Sequence, residues 1–284
     1  MTQGIVVGVD GTEQADAAAE WAAGEAVLRG TGVHLVHARE PWPESVAPLT
    51  ARDPEEPWAE ELLARTAKRL RERHPGLSVT TRLLDSGPIP GLVAAGGAGD
   101  LLVMGSRALG TMAGYLVGSV GLTVAGAIER PVVLVRAYDA TAAAEAVTVG
   151  IDARQPSDAV LGFAFEEAAR RHNEVRVIYA QQLPLYAGLG PAMVPDIRPA
   201  VAPEIERSLD DLLDPWRTKY PDVTGTARVV IGSAGLELVR AAANAGLVVV
   251  GRRTRRSALG AHIGSVAHAV LHHSPAPVAL VPHE

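Results

Sequence analysis

Cysteine is missing from the 284-residue chain, and its absence excludes disulfide bonds, thiol catalysis and cysteine-based zinc or iron–sulfur sites. Aromatic residues make up only 4% of the sequence, so the core must be built from Val, Leu, Ile and Ala. No apolar run approaches the ~20 residues that span a bilayer, and residues 1–10 read as a strand rather than a signal sequence. We therefore expect a cytoplasmic protein with no membrane partner.

Basic residues are too few to balance the acidic ones. The chain has 26 Lys and Arg against 32 Asp and Glu, a net charge of −6, whereas nucleic-acid binders usually carry an excess of positive charge. We therefore expect no nucleic-acid partner. Apolar residues at 48% and charged residues at 20% are typical of a folded globular protein, and at roughly 150 residues per domain the length predicts about two domains.

The sequence repeats itself once. Residues 5–10 (IVVGVD) recur 142 positions later (152 minus 10) as VTVGID. Three further landmarks recur 146 positions later (251 minus 105): 102–105 at 248–251, Gly118-Ser119-Val120 at Gly264-Ser265-Val266, and 131–132 at 277–278. Landmarks in one order at nearly constant spacing indicate two homologous halves. We predict domains at 1–138 and 146–284, with 137–145 as the linker.

Strand-like and helix-like stretches alternate within each half. In the first half, we expect strands at 4–9, 33–38, 79–84, 101–104 and 131–136, with helices at 13–29, around 58–70, at 91–98 and at 119–129. In the second half, we expect strands near 146–151, 175–180, 227–231, 247–250 and 278–281. This order calls for parallel strands with helices on both faces. The predicted fold class is α/β: two tandem, five-stranded, doubly wound parallel domains.

Two stretches without periodicity follow the second strand of each half. They cover residues 39–57 and 183–203, and each contains five prolines. Stretches of this length are often functional flaps. Each is either a lid over the carboxyl edge of its sheet or a surface loop.

Ligands of open parallel sheets bind where the strand order reverses, outside the carboxyl ends of the strands. Those ends carry Asp10 and Gly105 in the first half, and Asp152 and Gly251 in the second. A carboxylate accepts hydrogen bonds from ribose hydroxyls or from an adenine amino group. A glycine permits close approach to the backbone, and a Gly-Ser helix start suits a phosphate. The combination indicates a nucleotide site. Taken singly, the Asp is a common turn former and the Ser a common N-cap.

These residues resemble the universal stress protein family in its tandem form, over nearly the whole chain. The likeness rests on residues 9–12 (VDGT), 104–107 (MGSR) through 118–120 (GSV), 130–135 (RPVVLV) and their second-half counterparts. The resemblance implies strand order 3-2-1-4-5, an adenine nucleotide alpha hydrolase-like fold, and ATP binding in stress-response regulation. It also implies that the fifth strands pair, here between the two halves of one chain as an intramolecular pseudo-dimer, and we further expect a homodimer.

ATP-binding relatives show Gly, two residues, Gly, nine residues, then Gly and Ser or Thr. The first and last elements fit in both halves, but the middle glycine is replaced by Ala108 and Thr254. If that position needs a positive φ, Ala108 weakens nucleotide binding by on the order of 1 kcal/mol, and the β-branched Thr254 weakens it by more. Four arginines at 252, 253, 255 and 256 either clamp phosphates or lie in solvent.

Residue-by-residue resemblance gives the candidate binding set. The first half contributes Gly8, Val9, Asp10, Ala38 and Met104 to the adenosine, and Gly105, Arg107, Gly118, Ser119 and Val120 to the phosphates. The second half contributes Gly150, Ile151, Asp152, Ala180, Val250, Gly251, Gly264, Ser265 and Val266. The expected ligand is ATP with or without Mg²⁺, and AMP or a cyclic nucleotide stays open. For Val9, Ile151, Met104 and Val250, core packing is the competing interpretation.

Catalytic machinery is not visible in the sequence, which has no Walker lysine and no recognisable base for an attacking water. We therefore expect a regulator with an unidentified partner protein and at most slow, incidental hydrolysis; a scaffold that has lost nucleotide binding is the alternative. His268 and His272 have a spacing compatible with metal, but no Glu stands between them, and we predict no metal site. His37 ends the second strand as a structural or ligand-contacting histidine.

Overall fold

The computed structural model describes residues 4–40, 55–106, 119–136, 146–153, 155–181, 198–254 and 263–284. The chain divides into two compact units, with the main boundary between residues 141 and 142. Each unit contains five parallel strands with helices between them. No helix among the described residues has the length and apolar character needed to cross a membrane.

The first unit alternates strands and helices from one end to the other. Its elements are β1 (Ile5–Gly8), α1 (Glu13–Arg29), β2 (Val33–Arg39), α2 (Glu55–Arg73), β3 (Val79–Asp85), α3 (Pro88–Gly97), β4 (Leu101–Gly105), α4 (Ser119–Ala127) and β5 (Val132–Val135). The strand order is β3-β2-β1-β4-β5, and the pairs are parallel. This order confirms the predicted 3-2-1-4-5 arrangement and places the reversal of strand order between β1 and β4.

The second unit repeats the plan. Its elements are β6 (Ala146–Gly150), α5 (Asp158–Arg171), β7 (Glu174–Gln181), α6 (Arg198–Lys219), β8 (Gly225–Ile231), α7 (Ala234–Ala241), a 3-10 turn (Ala242–Asn244), β9 (Leu247–Arg253), α8 (Ser265–His273) and β10 (Val278–His283). The order β8-β7-β6-β9-β10 is the same, again with parallel pairs. The reversal here lies between β6 and β9.

Helix α1 runs over residues 13–29, as its sequence predicts, because both of its ends are specified locally. Thr12 is the N-cap and accepts a hydrogen bond from the Ala15 amide at 3.2 Å. Gly30 ends the helix with φ +63, a conformation in which glycine meets no steric penalty. The buried face between these ends is mostly alanine with one large side chain, Trp21, which lets the helix lie close to the sheet.

Two predicted boundaries are wrong for a shared reason. We expected β9 to end near 250 and β10 near 281, but the pairing continues through Pro282 opposite Arg252 and His283 opposite Arg253. The sequence reads as a loop there because arginines follow the apolar run. In a parallel ladder the backbone hydrogen bonds decide where pairing ends, and here they hold the charged residues in the strand.

The proline-containing stretches are shorter than predicted. Helix α2 begins at Glu55, inside 39–57, and α6 begins at Arg198, inside 183–203. Prolines are tolerated in a first helical turn, where the amide has no partner in any case, and Pro57 lies in the first turn of α2. The rest of the two proposed lids, 41–54 and 183–197, lies outside the described residues.

Candidate functional site

A tight turn fixes Asp10 at the carboxyl end of β1. Its Oδ1 accepts hydrogen bonds from the Thr12 amide at 3.1 Å and the Thr12 hydroxyl at 2.6 Å. Gly11 between them has φ +80, which favours glycine. Asp10 itself is exposed. The turn therefore presents an oriented carboxylate beside the reversal of strand order, where the sequence predicts the adenosine part of the nucleotide.

A histidine and a tryptophan line the adjacent end of β2. The buried His37 donates a hydrogen bond from Nδ1 to the Val9 carbonyl at 2.7 Å. Its ring lies 5.4 Å, edge to face, from the ring of Trp58 on α2. Trp58 is 47% exposed, and its ring would lie 3.2 Å from a Cβ placed on Gly11. His37 thus has a structural hydrogen bond, as predicted.

Trp58 is a site neighbour that sequence reasoning missed. In the sequence it serves only as one of several residues that mark the second helix. Its position next to Gly11 depends on α2 packing against α1, which is held by a bidentate contact from Arg69 to Asp16 at 2.9 and 2.5 Å. That contact also raises the pKa of Arg69 above its ordinary value. A tryptophan directly after a Pro-rich stretch is the only signal that the sequence offers.

The strand-end glycines have a packing role that the sequence did not suggest. A Cβ on Gly105 would lie 2.7 Å from the Ala15 amide nitrogen, so the backbone of α1 packs directly against this glycine. A Cβ on Gly8 would lie 3.0 Å from Leu92 of α3 and 3.6 Å from Met104. These glycines therefore permit close helix–sheet packing, and Met104, 5% exposed, belongs to the core.

The remaining first-unit candidates divide into three groups. Val9 is buried and donates its amide to the Val36 carbonyl at 2.9 Å, and Ala38 lies partly exposed at the end of β2. Ser119, exposed, and Val120, partly exposed, begin α4. Arg107, Gly118 and Ala108 lie outside the described residues. The structure thus places Val9, Asp10 and Ala38 on neighbouring strand ends.

In the second unit, the counterpart of Asp10 is engaged by an arginine. Asp152 Oδ2 lies 3.4 Å from Nη2 of Arg253, which is the last residue of β9. The ion pair links the ends of β6 and β9, the two strands between which the order reverses. Arg253 reaches this position because β9 extends beyond its predicted end. The carboxylate predicted to hold the adenosine in this unit therefore has a charged partner from its own chain.

The start of the second phosphate loop is also held. Thr254 donates its amide to the His283 carbonyl at 2.7 Å and its hydroxyl to the same oxygen at 3.0 Å. Thr254 is not among the positive-φ residues, so the condition under which we expected strain at this position is not met. Above Gly251, the His283 ring would lie 2.6 Å from an added Cβ. His283 thus covers the strand-end glycine of this unit.

An apolar cluster lies next to the carboxyl ends of β6 and β7 in the second unit. Tyr179, the counterpart of His37, packs with Leu209 and Val229, and Ile151 and Ala153 lie against them. The Tyr179 hydroxyl donates to Gln181 at 2.8 Å. Among the other candidates, Gly150 faces Leu238, Val250 is buried, Ala180 is partly exposed, and Gly264, Ser265 and Val266 are exposed at the start of α8.

The helix that follows β6 begins later than its first-unit counterpart. α1 starts three residues after Asp10, whereas α5 starts at Asp158, six residues after Asp152. Its N-cap, Ser157, makes no side-chain capping bond, in contrast to Thr12. The Asp-Gly-Thr turn that orients Asp10 therefore has no equivalent among the described residues of the second unit.

Comparison with known proteins matches both halves of the chain to one family. A sequence model of the universal stress protein family matches residues 1–136 and 144–282. The universal stress protein Rv2005c of Mycobacterium tuberculosis is 34% identical over 286 residues, covering 97% of this chain and 95% of its own length. A universal stress protein of Mycolicibacterium smegmatis is 30% identical over 291 residues, covering 98% and 96%. The crystal structure of a universal stress protein from Archaeoglobus fulgidus, at 18% identity, covers 99% and 98% with a TM-score of 0.72, which shows a shared fold.

Proposed function

This chain belongs to the universal stress protein family, and we propose that it is a cytosolic regulator that binds one adenine nucleotide, preferably ATP, in its first unit. Nucleotide occupancy would change a surface that a partner protein reads. We also propose that the chain forms a homodimer. The ligand class comes from the family resemblance together with the oriented carboxylate of Asp10.

The position of Asp10 carries this proposal. It lies exposed at the carboxyl end of β1, beside the reversal of strand order where open parallel sheets bind ligands. Two hydrogen bonds from Thr12 occupy one of its oxygens and fix its orientation. A preoriented carboxylate loses little side-chain entropy when it accepts a hydrogen bond from a ribose hydroxyl. Ser119 and Val120 start α4, whose N-terminus suits the phosphates.

The second unit has the weaker case for nucleotide binding. A ribose at Asp152 would compete with Arg253, and a phosphate loop that closes over Gly251 would have to displace the His283 ring. The pair is exposed, with side chains 42% and 52% accessible, so breaking it costs little by itself. A ligand that moves Thr254 would also have to break its hydrogen bonds to the His283 carbonyl, which makes binding in this unit less favourable. We expect nucleotide affinity to be lower in this unit.

Binding without turnover fits the residues around Asp10. The nearest described histidine, His37, is buried and uses Nδ1 for the Val9 carbonyl. A general base must lie within hydrogen-bond reach of the attacking water, and Asp10 is committed in part to its own turn. Any hydrolysis of ATP is expected to be slow and incidental.

Calorimetry with ATP and Mg²⁺ tests the proposal directly. We expect one ATP per wild-type chain, affinity at least tenfold lower in Asp10→Asn, and unchanged affinity in the matched Asp152→Asn. Two equivalent sites in the wild type would contradict the assignment to the first unit. No binding at millimolar ATP would overturn the nucleotide proposal. Titrations with AMP and a cyclic nucleotide then show how strongly the affinity depends on the phosphate groups of the ligand.

The ion pair and the Thr254 bonds also favour a second candidate, an interaction scaffold that does not bind nucleotide. If that reading holds, the wild type binds no ATP, and an Arg253→Ala/Thr254→Gly variant gains a site in the second unit. If the first unit binds as proposed, the same variant raises the stoichiometry from one toward two. The two candidates therefore predict different results for the wild type.

A further inference from the structure

Two histidines on α8 point their ring nitrogens at each other. His268 and His272 are four residues apart on this nine-residue helix, and such positions lie one above the other on one face. Their Nε2 atoms are 3.1 Å apart and their ring centroids 4.1 Å apart. Each histidine thus directs the same kind of donor atom at one point in space.

That separation fits a shared metal ion. Imidazole nitrogens bind Zn²⁺ at about 2.0–2.1 Å, and two such bonds to atoms 3.1 Å apart enclose an angle of about 95–100°. This angle lies between the right angle of a square-planar site and the tetrahedral angle, which Cu²⁺, Ni²⁺ and Zn²⁺ accept. Small rotations of the rings bring either geometry within reach.

The surroundings of the two rings differ in a useful way. His272 is 4% exposed, so packing holds its ring, whereas His268 is exposed and gives access from solvent. Packing thus fixes one of the two donor rings, while the other can be reached by a metal ion from solvent.

The sequence alone led us to predict no metal site at these residues, and the short distance between the two Nε2 atoms changes that expectation. We propose that His268 and His272 form a bidentate site for a late first-row transition-metal dication, with water in the remaining positions. Among the residues that the structure describes, no group of three or more His, Asp or Glu could hold a metal, so two protein ligands are the limit of the described site. Before binding, one Nε2 donates its proton to the other. Binding moves that proton to Nδ1 of the same ring, so both Nε2 atoms offer lone pairs and no net proton is released.

Imidazole is a preferred ligand of Zn²⁺, Ni²⁺ and Cu²⁺, and Mg²⁺ prefers oxygen ligands. The site therefore takes a different ion from the Mg²⁺ that accompanies ATP. The two histidines belong to the second unit and are not among the candidate nucleotide ligands. A failure of the metal proposal can therefore be distinguished from a failure of the nucleotide proposal.

Calorimetry of the full-length chain with Zn²⁺ alone, in a buffer that does not coordinate metal and without nucleotide, tests the site. We expect one dominant site in the wild type and at least tenfold weaker binding in His268→Gln, because one of two linked ligands is lost. His273→Gln is the matched control: it alters an adjacent, exposed histidine on the same helix and should leave the affinity unchanged. Equal affinity of the wild type and His268→Gln overturns the proposal, as does an equal loss in His273→Gln.

Electron paramagnetic resonance with Cu²⁺ provides the second readout. The nine histidines of the chain can bind copper singly, so the number of coordinated nitrogens separates the proposed pair from background. We expect two equivalent imidazole nitrogens in the wild type and one or none in His268→Gln. A one-nitrogen spectrum in the wild type contradicts the bidentate site. Circular dichroism of His268→Gln checks that the fold is intact, which we expect because His268 is exposed.

Discussion

The α-carbon of Gly105 lies against the first turn of α1, where an added Cβ would stand 2.7 Å from the amide nitrogen of Ala15. The obstructing atoms are backbone, so they cannot rotate away. We therefore expect Gly105→Ala to lower the free energy of unfolding by about 1–3 kcal/mol, as overpacked substitutions do. Urea denaturation measures the change.

Gly251 occupies the same position in the second unit and serves as the control. A Cβ there would meet the Nε2 atom of His283 at 2.6 Å and a methyl of Val160 at 3.2 Å, and the His283 ring can turn aside. Gly251→Ala should therefore cost less than about 1 kcal/mol. A loss as large as that of Gly105→Ala would show that backbone proximity is not what distinguishes the two sites.

Asp10 has a structural role that can be separated from its proposed role in binding. Asp10→Ala removes the acceptor of both Thr12 hydrogen bonds and should cost about 1 kcal/mol in stability. Asp10→Asn keeps an Oδ1 acceptor and should cost less than half as much. Thermal denaturation of both variants checks this order. The reverse order would mean that the charge, rather than the turn, dominates.

Glu167 is the centre of a buried ion cluster in α5. It is fully buried and receives hydrogen bonds from Arg170 at 2.9 Å and Arg171 at 3.1 Å. Removing the carboxylate leaves the two half-buried guanidinium groups without this negatively charged partner. Glu167→Ala should therefore lower the free energy of unfolding by about 2–3 kcal/mol. The neighbouring Glu166, 46% exposed and 3.4 Å from Arg170, is the control, and Glu166→Ala should change stability by less than about 0.5 kcal/mol. Similar losses in both variants would contradict the argument from burial.

Trp58 offers a spectroscopic reporter of the first unit. Its half-exposed ring lies over Gly11, next to Asp10, whereas Trp21 is 2% exposed within α1. We expect saturating ATP to change the tryptophan emission of the wild type, and Trp58→Phe to remove most of that change. A full change retained in Trp58→Phe, with binding intact, would place the nucleotide away from this ring.

Most of the fold follows from the sequence because local signals and long-range pattern agree. The β-branched run ending at Val9, the Thr12 cap and Gly30 define one strand and one helix, and the duplication then supplies the same order twice. The strand order follows once the family is recognised. The end of β9 could not be predicted in this way. Arg252 and Arg253 belong to the strand because they pair with Pro282 and His283 of β10, and this pairing is not visible in the local sequence.

For the candidate site, the sequence predicted where the residues lie better than what they contact. Asp10 stands at the strand end as expected, and its turn with Thr12 could be inferred from the residue types. Two contacts could not be predicted: α1 packs on Gly105, and Leu92 packs on Gly8. They depend on how closely the helices approach the sheet, and a local sequence pattern does not determine that distance. The contact of Arg253 with Asp152 joins residues 101 positions apart and likewise required the fold.

The packing of Gly8 on Leu92 recurs as Gly150 on Leu238, and neither contact involves Asp10, Asp152 or Arg253. This helix–sheet packing is therefore the same in both units, although the charged side chains at their strand ends are engaged differently. A duplicated gene under such an arrangement is free to diverge in one copy's binding chemistry while both copies continue to fold. The ion pair between Asp152 and Arg253 is an example of such a difference between the two copies.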